Sequence, residues 1–202
     1  MSNIGKSGWA ARLRDACAAE VIDCDQLLAS RLFPQQDEAP DLRRLATWLG
    51  QPGDACYPHN SARLLAAERE VMRQVLARLQ ARDAGTPCVI DTGGSVIHAG
   101  ADVLQALRRQ TCVIHLQATP AQREQLYARY LAEPKPLIWG DAWQPRPGES
   151  VSDARRRCYP LLLEAREQAY ADLAELTLPA DLLERPESLG VLLDRVGAGP
   201  GT

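Results

Sequence analysis

"NIGKS", residues 3–7, is the stretch on which the reading of this chain turns. Gly5-Lys6-Ser7 forms the closing half of the phosphate-loop pattern G-x-x-x-x-G-K-[ST]. In that pattern backbone N–H groups and a lysine ammonium cradle phosphates where a strand gives way to a helix. A helix must therefore follow. Trp9, Leu13, Ala16 and Cys17 recur at helical spacing, with Arg12, Arg14 and Asp15 on the opposite face. The opening glycine of the pattern falls one position before Met1. Met1 is thus expected not to be the natural start, with a glycine and a short apolar strand ahead of it.

The bulk composition narrows the classes. A chain of 202 residues suits one domain with a sizeable core, and 46% hydrophobic with 24% charged residues is ordinary for a globular protein. A net charge of −3 provides no basic stripe for DNA or RNA, so no nucleic-acid partner is expected. Arginine heavily outnumbers lysine, which suits phosphate and carboxylate recognition. No apolar run approaches membrane-spanning length and no signal-peptide pattern opens the chain, so a cytoplasmic protein without a membrane partner is expected. The six cysteines (17, 24, 56, 88, 112 and 158) contain no C-x-x-C pair and read as buried thiols in a reducing compartment.

Short apolar runs alternate with helical patterns along the chain. Strands are expected at 20–23, 87–91, 111–119 and 176–180. Helices are expected at 25–32, 42–49, 60–82, 100–109, 120–131 and 153–174, with a weak one at the C-terminus. Asp41 reads as a helix cap, and Pro120 sits at a helix start. Residues 133–150, with four prolines, two glycines and two tryptophans, read as a lid or binding loop. The alternation predicts an α/β domain with a mostly parallel sheet.

Chemistry in such sheets gathers at the carboxyl ends of strands. "VIDCD" ends one strand in Asp23 and Asp25, and "VIDTGG" ends another in Asp91, followed by Gly93 and Gly94. An apolar strand ending in Asp delivers a carboxylate to a tip where a cation and its waters can sit. Glycines without side chains let a substrate lie directly on backbone amides.

These motifs, in this order, resemble the shikimate kinase family of P-loop small-molecule kinases over nearly the whole chain. "GKS" is similar to its phosphate loop, "VIDCDQLL" to its D-x-D strand end and "DTGGSV" to its glycine-rich substrate loop. "CVIHLQATPAQREQLYAR" is similar to its fourth strand and following helix, "PKPLI" to its lid motif, and "AREQAYADLAELTL" to its closing R-x-x-x-Y helix. The resemblance implies a single P-loop kinase-like domain over residues 1–202, a three-layer α/β sandwich with a lid at about 133–150. It also implies that the strand leading into the phosphate loop is the central one. The truncated start then leaves a slot between the strands at 88–91 and 112–116.

For function, the resemblance implies an ATP-dependent kinase that moves the γ-phosphoryl of ATP to a hydroxyl of a small acceptor. Lys6 and the amides of residues 3–8 (Asn3, Ile4, Gly5, Lys6, Ser7, Gly8) would hold the phosphates. Ser7 would ligate Mg²⁺, with Asp23 or Asp91 supporting directly or through water. Asp25 would orient or deprotonate the acceptor hydroxyl, and Gly93, Gly94 and Arg166 would line the acceptor site. Lys135 and Arg146, from the lid, would neutralise charge on the transferring group. Leu64-Leu65 stands where the family carries Phe-Arg, and Asp91 replaces a small residue. These changes imply an acceptor less anionic than shikimate: a neutral polyol, sugar or nucleoside. Two other readings stand beside this one. The first is a nucleoside or nucleotide kinase, with arginines 155–157 on phosphate. The second is a nucleotide-binding protein without turnover.

Overall fold

The computed structural model describes residues 4–34, 42–82, 85–132, 135–184 and 188–197. Asn3 and Asp41 lie outside the described residues, as do the first two positions of the expected lid. Twelve elements longer than a turn follow one another. They are α1 (Lys6–Cys17), β1 (Glu20–Asp23), α2 (Cys24–Leu32), α3 (Leu42–Leu49), α4 (Tyr57–Gln80) and β2 (Cys88–Asp91), then α5 (Ala101–Gln110), β3 (Ile114–Gln117), α6 (Pro120–Ala132), α7 (Val151–Leu173), β4 (Leu176–Pro179) and α8 (Ser188–Gly197). The order and types agree with the expected α/β alternation.

All strand pairing is parallel, as helical crossovers require. β1 runs beside β2 in the register Glu20↔Cys88 to Asp23↔Asp91, and β3 beside β4 from Ile114↔Leu176 to Gln117↔Pro179. These are two separate two-stranded pieces. Between them lies a cavity of about 530 Å³, lined on one side by Val89 and Ile90 and on the other by Ile114 and Leu116. Among the described residues no strand fills it, in agreement with the slot expected between these strands. β2 is exposed accordingly. Every residue from Cys88 to Asp91 is only half-buried, where a strand inside a parallel sheet covered on both faces would be buried throughout. Ile4, within the expected phosphate loop, borders the same cavity.

Two apolar clusters hold the halves. Ile22 of β1 packs with Val71, Met72, Val75 and Leu76 of α4 and with Val103 and Leu107 of α5. The larger cluster joins Trp9, Leu28, Leu45 and Leu64 to Leu116 and Leu178, and to an aromatic group of Tyr130, Trp139, Tyr159 and Tyr170. Glu20 pairs with both Arg78 and Arg82, fastening the start of β1 to the end of α4.

Several expectations are corrected. α4 begins at Tyr57, with Pro58 in its first turn. Asn60, expected to open that helix, lies inside it and donates to the Trp48 carbonyl at 2.5 Å. α7 begins at Val151, because Ser150 accepts from Asp153 N at 3.1 Å and caps it. Only Cys24 and Cys158 are buried. Cys56 and Cys112 are exposed, and all six thiols are free.

The lid is docked. Ile138 and Trp139 are buried in the core, and the Trp139 ring packs on Tyr130, Trp143 and Tyr159. Tyr57 pins it from below: its hydroxyl donates to the Leu137 carbonyl at 2.9 Å and accepts from Trp139 N at 3.0 Å.

Candidate active site

The phosphate end is built where α1 starts. Gly5 precedes it at φ 96°, a left-handed conformation that suits glycine and turns the chain into the helix. No side chain caps the start of α1. Gly8 lies in that same first turn. Ser7 Oγ donates to Asp91 Oδ2 at 2.7 Å, tying the helix start to the tip of β2. Lys6 faces Asp25 and Asp91. Burial pulls its ammonium below the ordinary lysine range, while the two carboxylates oppose that shift.

The strand register sets the next layer. Because Asp23 lies opposite Asp91, both carboxylates leave the half-sheet at the same end. Asp23 Oδ1 accepts from Gln26 N at 2.9 Å and so caps α2. Asp25, in the first turn of α2, faces Lys6 from the other side. Burial lifts its carboxyl above the usual range, opposed by Lys6, reinforced by Asp23 and Asp91, and opposed again by Lys135. A raised carboxyl suits a proton acceptor working near neutral pH.

The acceptor end adjoins it. A Cβ placed on Gly93 would lie 2.7 Å from Asp25 Oδ1 and 3.0 Å from Glu68 Oε1, so the loop after β2 sits directly on two carboxyl groups. Arg166 and Tyr170, one turn apart on α7, both donate to the Gly94 carbonyl. Arg166 also donates to the Ile138 carbonyl at 3.3 Å and the Tyr170 hydroxyl at 2.7 Å. This buried guanidinium thereby joins the glycine loop to the segment around Ile138. Lys135, half-buried at the start of the lid, reaches Asp25 electrostatically. Arg146 stands apart. It is exposed, its backbone N–H donates to Glu149 at 3.0 Å, and no described contact links its side chain to the other site residues.

Glu68 is the site residue that sequence reasoning missed. It is 3% exposed on α4, and burial first of all pushes its carboxyl up to about 7. The signal was available: an acid in the same helical stripe as Leu64, Val71, Met72 and Val75 faces inward.

Among the described residues no group of three His, Cys, Asp or Glu side chains could hold a metal. The donor set at Ser7 and Asp91 is nevertheless one that suits Mg²⁺. That ion takes one or two protein oxygens and completes its shell with phosphates and water.

Residues 1–136 match the family model of an AAA domain. No curated protein sequence matches the chain. Among solved structures, shikimate kinase from Bacteroides thetaiotaomicron is similar at a TM-score of 0.59 and 19% identity, over 97% of this chain and 94% of that one. Two-thirds of the sequence thus fits one family model and nearly all of the backbone follows one P-loop kinase fold: the chain belongs to the AAA domain family, with a shikimate-kinase-like architecture.

Proposed function

We propose that this protein is an ATP-dependent small-molecule kinase, acting on a hydroxyl of a small acceptor. One observation carries the reading: the start of α1, with Lys6 and Ser7, abuts Asp91 and Asp25, and Asp25 touches the Gly93 loop. A phosphate-binding end and an acceptor end therefore share one carboxylate-lined floor.

The amides of residues 4–8 and the Lys6 ammonium would bind the β- and γ-phosphates of ATP. Asn3 belongs to the same loop reading. Ser7 and Asp91 would hold Mg²⁺, with Asp23 supporting through water, and the bound ion would neutralise charge on the phosphates. Asp25 orients the acceptor hydroxyl and takes its proton. The acceptor oxygen forms its bond to the γ-phosphorus as the bond to the β–γ bridging oxygen breaks, and ADP leaves. Lys135 counters charge on the transferring phosphoryl group, and Arg146 would approach only if the outer part of the lid closed. Gly93, Gly94 and Arg166 shape the acceptor pocket. Positioning and electrostatics supply most of such catalysis. The ATP chemistry and six free thiols support a cytoplasmic location.

Two of the three arginines of the nucleotide-kinase reading are engaged within the chain. Arg157 is held by both carboxylate oxygens of Glu149 at 2.8 Å, and Arg155 donates to the Pro52 carbonyl at 3.0 Å. An acceptor panel with ATP and Mg²⁺, read by ADP release and phosphoryl transfer, tests the proposal. Transfer to polyols or sugars supports it. Exclusive transfer to nucleosides or nucleotides, or ATP binding without transfer to any acceptor, overturns it.

A further inference from the structure

Residues 137–139 are held by two side chains from helices far apart in sequence. Tyr57, buried at the start of α4, donates its hydroxyl to the Leu137 carbonyl at 2.9 Å and accepts from Trp139 N at 3.0 Å. Arg166, on α7, donates to the Ile138 carbonyl between them at 3.3 Å. Among the described residues the Leu137 carbonyl and the Trp139 N–H have no other partner, and backbone groups withdrawn from water ordinarily keep one. A single hydroxyl thus serves two backbone groups, as donor to one and acceptor from the other. Just upstream the chain is stiff. Pro136 has a fixed φ and also biases Lys135, the residue before it, toward extended backbone. Only that proline separates Lys135 from the anchored Leu137, and Lys135 lies half-buried within electrostatic reach of Asp25.

We propose that Tyr57 is a positioning residue: its hydroxyl fixes residues 137–139 and, through the stiff Lys135–Pro136 link, aims the Lys135 ammonium at the Asp25 side of the site. Tyr57 acts through this segment and not on the reacting atoms. A lysine side chain is long and rich in rotamers, and backbone fixed two residues away limits where its charge can go. Loss of the hydroxyl leaves the Leu137 carbonyl and the Trp139 N–H unpaired. They must then turn toward water or new partners, and Lys135 is carried along. Electrostatic catalysis tolerates little displacement, because a group moved about 1 Å from its place can forfeit up to about a hundredfold in rate. The effect on turnover rests on the kinase reading, whereas the tie between Tyr57 and Lys135 stands apart from it.

Lys6 and Lys135 are the only lysines in the sequence, so amine acylation read by mass spectrometry resolves Lys135 directly, with Lys6 as internal reference. In the folded chain Lys135 should be acylated at least about fivefold more slowly than in the same chain unfolded in urea. Tyr57→Phe keeps the ring in the core and removes only the hydroxyl. It should speed Lys135 acylation at least about threefold and leave the Lys6 rate within about 1.5-fold. Val103→Ala, a truncation in the other apolar cluster, should leave both rates unchanged, which separates positioning from a general loss of stability. Equal Lys135 rates in the folded and unfolded chain overturn the proposal with no variant needed. Unaltered Lys135 acylation in a folded Tyr57→Phe protein overturns it too, as does an equal acceleration in Val103→Ala. With Mg²⁺, ATP and the acceptor panel, Tyr57→Phe should lower kcat about tenfold or more with the KM for ATP within about twofold, and adding Lys135→Ala should lower it little further. A raised KM for ATP at unchanged kcat overturns the proposal. Absence of turnover in the parent sinks only the kinase reading, because the acylation rates still decide this one.

Discussion

At the phosphate end, Gly5, Lys6 and Ser7 are consecutive residues at the start of one helix, and their partner Asp91 stands at a strand tip. At the acceptor end, Asp25, Glu68, Gly93 and Arg166 come from α2, α4, the loop after β2, and α7. The first region consists of backbone amides, one ammonium and the exposed Ser7, whose hydroxyl bonds Asp91. The second brings together side chains from three helices, with Glu68 and Arg166 buried and Asp25 half-buried. A local device depends on a few adjacent residues, whereas a dispersed one depends on packing. Substitutions at the two ends should accordingly fail in different ways.

The sharpest break of that contrast comes from Lys6→Ala. Loss of the ammonium should weaken ATP binding by about two orders of magnitude or more, the range seen when one preorganised electrostatic partner is removed. The fold should persist, because Lys6 contributes charge and not core packing. Nucleotide titration alongside thermal melting checks this, and unchanged ATP affinity would remove the phosphate-loop assignment.

Arg166→Ala should instead damage both fold and acceptor binding. It strips the Gly94 and Ile138 carbonyls and the Tyr170 hydroxyl of a buried donor. Charge-assisted bonds of this kind contribute about 1.5–3 kcal/mol each, so a loss of roughly 3–5 kcal/mol is expected in denaturant melts. The acceptor KM should rise about tenfold or more, with the KM for ATP much less affected. Equal effects on both substrates would erase the division between the two ends.

The same division explains what could be read in advance. The strand tips carrying Asp23 and Asp91, the turn at Gly93 and the helix after Ser7 follow from short patterns, because apolar runs and glycines act locally. The slot between the two half-sheets of the described residues also followed, since a phosphate loop needs a strand to aim it. Glu68 did not. Its helix reads as amphipathic with or without it, and only packing shows that its carboxyl meets Gly93. Trp139, in the stretch read as a lid or binding loop, is shown to be a core residue only by its contacts with Tyr130 and Tyr159. The start of α4 was misplaced because Cys56, a residue with no side-chain cap bond, precedes it.

Glu68 sharpens the comparison through pH. Its carboxyl is raised from 4.5 to about 7, so the folded state binds a proton more tightly than the unfolded state. Stability is then lost as pH rises between those values, by about 3 kcal/mol once both states are ionised. Glu68→Gln should remove that part of the slope and leave Asp25's share in place. Denaturant unfolding at pH 5 and pH 8 measures it: the variant should gain on the parent at pH 8 relative to pH 5. Parallel pH profiles would mean that Glu68 is not held protonated by its surroundings.

Gly93→Ala gives the smallest and most local test of the acceptor end. Gly93 is not among the residues with positive φ, so the substitution strains no backbone torsion, and only space is at issue. The new Cβ would stand 2.7 Å from Asp25 Oδ1 and 3.0 Å from Glu68 Oε1, closer than ordinary contact permits. Neither carboxyl is at the free end of a solvent-exposed chain: Asp25 is held near Lys6, and Glu68 lies within the buried stripe of α4. Overpacking of this kind costs about 1–3 kcal/mol. It should appear chiefly as a raised acceptor KM and a lowered kcat, because Asp25 must turn away from the hydroxyl it serves. Nucleotide affinity should change far less, since the new Cβ meets Asp25 and Glu68 and none of Lys6, Ser7 or Asp91. A matched loss of ATP binding would show that Asp25 couples the two ends so tightly that they act as one site.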